Sequence, residues 1–159
     1  MPGSRFARLL AIVEQSGLPF TLHEHIPMRT MDDAAQSLSL DVARIVKTIT
    51  FRARNKGLVL AALRGTARVD YPRLAALVGV NRRDLAPLSP EEVGELLGFE
   101  PGCVSPVLLR EDTTVFIDDE VLAIQPTIYC GIGRPDRTLE ITPDALVKLA
   151  KGRIGGFSR

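Results

Sequence analysis

The sequence predicts an α+β (mixed α/β) fold, a single domain over residues 1–159 in which short helices flank one curved, mainly antiparallel sheet. Three observations predict it. β-Branched runs follow one another across short turns, which favours antiparallel pairing. Helical segments with their own caps are scattered between those runs. A chain of 159 residues that is 45% hydrophobic is also long enough to form one core without disulfides.

Five segments carry the marks of short helices, namely a side chain that caps the first turn and an apolar face at helical spacing. The stretch SPEE at 89–92 is the strongest, because it combines a cap, a proline at the first helical position and a capping-box glutamate. The predicted helices span 4–16, begin at Thr30, run from Asp70 to Gly79, run from Ser89 to Gly98, and begin at Thr142.

Six runs rich in β-branched, aromatic or alternating apolar residues are predicted strands. The turn residues Asn55, Lys56 and Gly57 separate two of these runs, so the second and third strands should form a hairpin. The predicted strands span 20–23, 45–53, 58–63, 114–117, 127–130 and 138–141.

Composition and charge argue against several classes of protein. The net charge of +1 gives no overall field for nucleic acid, although a local basic patch is still allowed. The start MPGSRFARLL lacks the apolar core of a signal peptide, and no stretch approaches the ~18 apolar residues of a membrane span. Two cysteines do not make a disulfide framework. We therefore expect a cytoplasmic protein with no membrane partner and no DNA partner.

Several familiar chemical motifs are missing from the sequence. It has no Walker loop, no zinc-type spacing of cysteine and histidine, and no nucleophile elbow. His23 and His25 would share one face of a strand, but no third ligand lies nearby in sequence, so an ordinary surface pair is favoured over a metal edge. Gly131 and Gly133 lack the third glycine of a dinucleotide-binding loop. We expect neither a metal nor a cofactor.

Two features remain as candidates for chemistry. Lys47 lies in an otherwise apolar, β-branched run, where its side chain either extends outward to solvent or projects into a cleft; the pattern favours the first. The loop from Pro101 to Pro106 has a backbone fixed by two prolines and a glycine that allows close approach. Its N–H groups can hold a carbonyl oxygen or an oxyanion, or the loop is a plain connector.

The order of several short motifs resembles the YbaK/EbsC family, the free-standing relatives of the editing domain of bacterial prolyl-tRNA synthetases. The resemblance covers nearly the whole chain in the right order. Its opening motif ends on RIVKT at 44–48, and its loop, a glycine followed by three residues and a proline, is matched at 102–106. The other matching segments are HIP at 25–27 with Thr30, RVD at 68–70, IYCGIG at 128–133 and LEITPDAL at 139–146.

The resemblance implies an enzyme that hydrolyses the ester of a mischarged aminoacyl-tRNA in trans. It implies that Lys47 is the functional lysine and that the Gly102 backbone faces the substrate carbonyl. Attack would come from water, from the ribose hydroxyl or from a cysteinyl thiol. The implied partners are the tRNA acceptor end carrying alanine, cysteine or a similar small amino acid, with tRNA(Pro) favoured, and, as an open option, prolyl-tRNA synthetase. The implied substrate-binding residues are His25, Thr30, Thr48, Cys103, Ser105, Pro106, Gly131 and Gly133.

Departures from the family pattern leave the amino-acid preference open. Many relatives carry a second glycine where this chain has Cys103, which is either a buried packing residue or a thiol in the pocket. Two other readings stand beside the hydrolase: a non-catalytic module that binds aminoacyl-RNA or a synthetase, and an unrelated small-molecule enzyme using a cleft at Lys47. Five basic residues either contact phosphates or form a solvated rim, the second being favoured: Arg52, Arg54, Lys56, Arg134 and Arg137.

Overall fold

A computed structural model describes residues 4–27, 41–100, 102–107 and 110–159 of the chain. The described part contains four α-helices and eight strands, with 3-10 turns at 42–44, 82–84 and 119–123. The helices are α1 (Arg5–Ser16), α2 (Tyr71–Val78), α3 (Pro90–Leu97) and α4 (Pro143–Ala150). The strands are β1 (Thr21–Glu24), β2 (Val46–Ala53), β3 (Gly57–Arg64), β4 (Leu85–Pro87), β5 (Thr113–Asp118), β6 (Ile128–Cys130), β7 (Arg137–Ile141) and β8 (Arg153–Gly155).

The predicted α+β class is confirmed, but the single predicted sheet is divided in two. A three-stranded antiparallel sheet has the order β1-β7-β6, and a five-stranded sheet has the order β4-β2-β3-β5-β8. In the larger sheet β2 pairs antiparallel with β3 and β4, whereas β5 runs parallel to β3 and β8. Two of the three three-residue strands, β4 and β8, were not predicted, whereas β6 was. β4 and β8 lack a run of β-branched and aromatic residues and exist because longer strands pair with them.

Local capping explains where the four helices begin, as the sequence predicts. The side chains of Ser4, Asp70, Ser89 and Thr142 each accept a hydrogen bond from a backbone N–H of the first helical turn. At α3 the capping box is complete, because Glu92 also accepts from the backbone of Ser89. The helix predicted to begin at Thr30 lies outside the described residues.

Two hydrophobic clusters cover opposite faces of the larger sheet. The first joins α1, α3 and α4 to the inner face of the three-stranded sheet and to one face of β2, β3 and β5. The second fills the other face, where α2 and the segment around Phe157 pack on β2 and β3. Because side chains alternate along a strand, Val46 enters the first cluster while Ile49 and Phe51 pack in the second. This alternation decides on which side Lys47 lies.

None of the described helices combines the length and apolar character needed to cross a bilayer.

Candidate functional site

One parallel bridge between Ile45 and Tyr129 connects the two sheets at the start of β2. The two chain segments run in the same direction there, so Lys47 and Gly131 each lie two residues further along from the bridge. The bridge thus ties the start of β2, which carries Lys47, to the end of β6, after which the glycine turn follows. The fold therefore joins two segments that are far apart in sequence.

Lys47 lies on the side of the sheet that carries the second cluster, opposite Leu63 in the β2–β3 pairing. Its ammonium donates a hydrogen bond of 2.5 Å to the backbone carbonyl of Ala67 and does not extend freely into solvent. Partial burial, and secondarily the nearby Arg68 guanidinium, lower the pKa of Lys47 from its ordinary value. The result is a half-buried cation beside the second hydrophobic cluster.

The loop of Gly102 lies against the glycine turn that follows β6. Gly102 has a φ of +78°, a left-handed conformation that an L side chain rarely adopts. A Cβ atom on Gly131 would lie 2.6 Å from the carbonyl oxygen of Val104, so only glycine fits there. The N–H of Gly133 donates to the carbonyl of Cys103 at 3.0 Å. These contacts hold the Gly102 loop on the glycine turn.

The loop offers fewer free amides than the sequence predicts. The N–H of Cys103 donates to the carbonyl of Glu100 at 3.1 Å, so this amide cannot also serve as an oxyanion donor, and that part of the expectation is wrong. Within the described residues, the N–H groups of Gly102 and Val104 have no acceptor. Gly102 is exposed, so its amide can reach a ligand.

Both cysteines are buried. Complete burial raises the pKa of the Cys130 thiol to about 12, which fits its place in the first cluster and makes it inert as a nucleophile. Cys103 is 1% exposed, which agrees with the packing role and places its side chain away from open solvent. The backbone of Cys103, through its carbonyl, is the part that shapes the turn.

Two predicted pocket residues lie on the other side of the sheet from Lys47. Thr48 follows Lys47 directly, so strand alternation places it on the first-cluster face, where its buried hydroxyl has no hydrogen-bond partner among the described residues. Ser105 is 1% exposed, accepts a hydrogen bond from the N–H of Val107 and lines a small cavity with Leu60 of that same cluster. The alternation thus separates these hydroxyls from the ammonium.

The remaining predicted residues are distributed around the site. His25 is hydrogen-bonded through Nε2 to the Thr138 hydroxyl at 2.8 Å and through Nδ1 to the carbonyl of Ile26 at 2.7 Å. Pro106 is buried next to Ser105. Thr30 lies outside the described residues.

A polar cluster that the sequence analysis missed lies on the outer face of the three-stranded sheet. It consists of His23, Arg44, Thr127, Tyr129 and Glu140, and we call it the outer-face cluster. Nε2 of His23 and Oε1 of Glu140 are 2.7 Å apart, while Oε2 accepts from the Arg44 guanidinium at 3.1 Å and from the Thr127 hydroxyl. The guanidinium lies 4.6 Å from the Tyr129 ring centre. The alternation of β7 could have shown that Glu140 faces outward, but not what it meets.

Comparison with known proteins identifies the family. The model of the aminoacyl-tRNA editing domain matches residues 25–149, which is most of the chain. The chain belongs to this family. The predicted resemblance is therefore confirmed, and an editing domain of this kind is an aminoacyl-tRNA deacylase by enzyme class.

Similar proteins cover the editing domain nearly from end to end. The uncharacterized protein YwhH of Bacillus subtilis is 29% identical over 79% of this chain and 77% of its own length. A protein of Enterococcus faecalis named "Putative Cys-tRNA(Pro)/Cys-tRNA(Cys) deacylase EbsC" is 23% identical over 91% of this chain and 88% of its own. A crystal structure described as "a putative trans-editing enzyme for prolyl tRNA synthetase" superposes with a TM-score of 0.82 at 28% identity, covering 100% of this chain and 99% of that one.

The rim of the editing domain pairs most of its predicted basic residues internally. Arg52 is bound to Glu92, and Arg134 and Arg137 both contact Asp136. These three cations fit the solvated rim that the sequence favours. Among the described residues, no group of three or more histidine, cysteine or acidic side chains is placed to hold a metal ion.

Proposed function

We propose that this editing domain acts in trans, as a free-standing hydrolase that cleaves the ester between a wrong, small amino acid and tRNA. Alanine and cysteine are the favoured amino acids, and tRNA(Pro) is the favoured carrier. Family membership supports the reaction class. The names of the two relatives that mention cysteine, proline tRNA and prolyl-tRNA synthetase support the substrate, and a synthetase of that kind is the proposed further partner.

The observation that supports the proposal is the bridge between the start of β2 and β6, together with the close packing of the Gly102 loop on Gly131. An aminoacyl ester is already activated, so its hydrolysis needs carbonyl polarisation and correct placement more than a strong nucleophile. The exposed Gly102 N–H donates to the carbonyl oxygen as negative charge develops on it. The Lys47 ammonium holds a backbone phosphate or the terminal ribose.

The proposed substrate-binding residues divide into two groups. Gly131, Gly133 and the Cys103 backbone shape the turn against which the ester lies, and His25 stands at the edge of the three-stranded sheet beside it. Thr48, Ser105 and Pro106 support the loop and β2 from the first-cluster side and act through that backbone. Thr30 is retained as a proposal from the family pattern alone.

A deacylation assay tests the proposal. Purified protein is mixed with tRNA(Pro) charged with alanine, cysteine or proline, and loss of the labelled amino acid is followed at several enzyme concentrations. We expect the first two esters, and not the third, to be cleaved faster than in buffer. Lys47→Met should reduce kcat/KM by about 10²-fold or more, since placement contributes on that scale. Lys148→Met, which removes an exposed lysine of α4, is the matched control and should leave the rate unchanged.

The non-catalytic alternative gives a different result in the same experiment. A module that only binds aminoacyl-RNA would protect the ester or leave its half-life unchanged while still retaining the tRNA on a filter. If no ester is cleaved faster than in buffer, and both lysine variants behave like the wild type, the hydrolase proposal fails and the binding module takes its place.

A further inference from the structure

The outer-face cluster fixes the tautomer of His23. Glu140 receives three donors, and the hydrogen bond from Thr127, followed by that from His23, keeps the pKa of its carboxyl below the ordinary value. An ionised carboxylate can only accept hydrogen bonds. Nε2 of His23 must therefore carry the proton that lies between it and Glu140, 2.7 Å away. In neutral His23 this leaves the lone pair on Nδ1.

That Nδ1 lone pair is available to a ligand. The His23 side chain is 32% exposed, and within the described ranges no group binds its Nδ1. The ring is held from two sides, by Glu140 and by an edge contact with Tyr129 at 5.8 Å between ring centres. A histidine with one nitrogen bound to a carboxylate and the other without a protein partner among the described residues is the arrangement in which imidazole accepts a proton.

The outer-face cluster is connected to the start of β2, the strand that carries Lys47, through Tyr129. Tyr129, which His23 contacts, forms the parallel bridge with Ile45, two residues before Lys47. Leu22, Leu139 and Val46 all enter the first cluster, so strand alternation places His23, Glu140 and Lys47 on the opposite side of their strands. His23, Glu140 and Lys47 thus all lie on the side of their strands that faces away from the first cluster, and the bridge of Tyr129 to Ile45 joins the two sheets between them.

We propose that His23, oriented by Glu140, is the general base of this editing domain. The inference rests on the proposed function. Nδ1 takes a proton from water as the water oxygen bonds to the ester carbonyl carbon. The tetrahedral intermediate then collapses, the bond from that carbon to the ribose oxygen breaks, and the imidazolium returns the proton to the ribose oxygen. The products are the free amino acid and a tRNA with its terminal hydroxyl restored.

Protonation of His23 would occupy the Nδ1 lone pair and stop this reaction cycle, so the deacylation rate should depend on pH. The charged and titratable groups that face the ring are Glu140 on β7, Arg44 in the turn before β2 and Tyr129 on β6, with His25 further along the same edge. Arg44 and Glu140 form an ion pair at 3.1 Å, so their charges offset each other beside the ring. The activity should therefore be lost at low pH through the uptake of one proton, at His23.

The experiment measures kcat/KM against pH for the wild type and for His23→Gln. We expect a one-proton acid limb in the wild type. In His23→Gln we expect a loss of about 10²–10⁴-fold in kcat, little change in KM, and no acid limb, because glutamine keeps a polar contact but accepts no proton. Added imidazole should restore part of the rate of His23→Ala, which a purely structural role would not allow.

Glu140→Gln tests the orienting role separately. The Glu140→Gln variant should have a lower kcat and keep the acid limb. The control Asp112→Asn, which breaks an exposed ion pair with Arg110, should change neither kcat nor the pH profile. A wild type without an acid limb, or a His23→Gln variant as active as wild type, would overturn the general base and leave the hydrolase standing. A wild type that cleaves no mischarged tRNA would overturn the hydrolase itself.

Discussion

Replacing Gly131 by alanine should damage the site because the new methyl group would press on the backbone of the Gly102 loop. The new Cβ would lie 2.6 Å from the Val104 carbonyl oxygen and 3.2 Å from that of Cys103, and both of these are backbone atoms. Ordinary contact begins at 3.4 Å, so the Gly102 loop must move by roughly 0.8 Å. A misplacement of about 1 Å in a reacting geometry can cost about 10²-fold in rate. We expect that loss in kcat/KM, with a cost of about 1–3 kcal/mol in the free energy of unfolding.

Deacylation kinetics and thermal unfolding check this expectation in parallel. The matched control is Gly94→Ala in α3, where the nearest atom to a new Cβ is the Phe99 carbonyl oxygen at 3.9 Å. That variant should keep full activity and gain about 0.5–1 kcal/mol, because alanine is the better helix former. Full activity in Gly131→Ala would refute the reasoning, since it would mean that the Gly102 loop need not keep its place on the turn.

Three further predictions concern charge and capping. The deacylation rate should fall as the pH rises, because only the protonated ammonium of Lys47 binds the substrate. Since the pKa of Lys47 is lowered, this fall should come at a lower pH than the pKa of an ordinary lysine. A wild-type rate that stays constant to high pH would contradict this. Asp118→Asn should cost about 3 kcal/mol in urea unfolding, because the buried carboxylate accepts from the N–H groups of Phe157 and Ser158. Ser89→Ala should cost about 1 kcal/mol by loss of the α3 cap, and an unchanged midpoint would count against the capping box.

Acid stability offers a test of the outer-face cluster that is independent of activity. Since the pKa of Glu140 is below its ordinary 4.5, the carboxylate contributes stability above that pH, and the contribution is lost as the pH falls through the lowered pKa. Glu140→Gln lacks this contribution. The Tm difference between wild type and Glu140→Gln should therefore shrink in acid, and a difference that stays constant would contradict the assignment.

Local signals made the helices predictable. A cap such as Ser89 or Thr142 and a glycine end such as Gly98 act within one or two turns, so the sequence around them contains the whole cause. Strands long enough to alternate, such as β2 and β3, were also predictable. The short strands β4 and β8 were not, because they lack the β-branched and aromatic residues that mark the equally short β6, and their pairing partners lie elsewhere in the chain.

The site was predictable in its parts and not in its assembly. Lys47 and Gly102 follow from the family pattern, but the bridge from Ile45 to Tyr129, which ties the strand of Lys47 to β6, is indicated by no local pattern. His23 and Glu140 are 117 residues apart in sequence, so their contact follows only from the β1–β7 pairing. The engaged amide of Cys103 is likewise a product of the folded loop.

The central claim is that Lys47 and the Gly102 amide act on the same ester. A crystal structure with an adenosine whose amino acid is joined by a stable amide, extended by the preceding phosphate, tests it most directly. The account predicts the amide carbonyl oxygen within hydrogen-bond distance of the Gly102 N–H, and the Lys47 ammonium moved from Ala67 onto the phosphate or ribose. A ligand bound on the Thr48 side of the sheet, with Lys47 still on the Ala67 carbonyl, would contradict it.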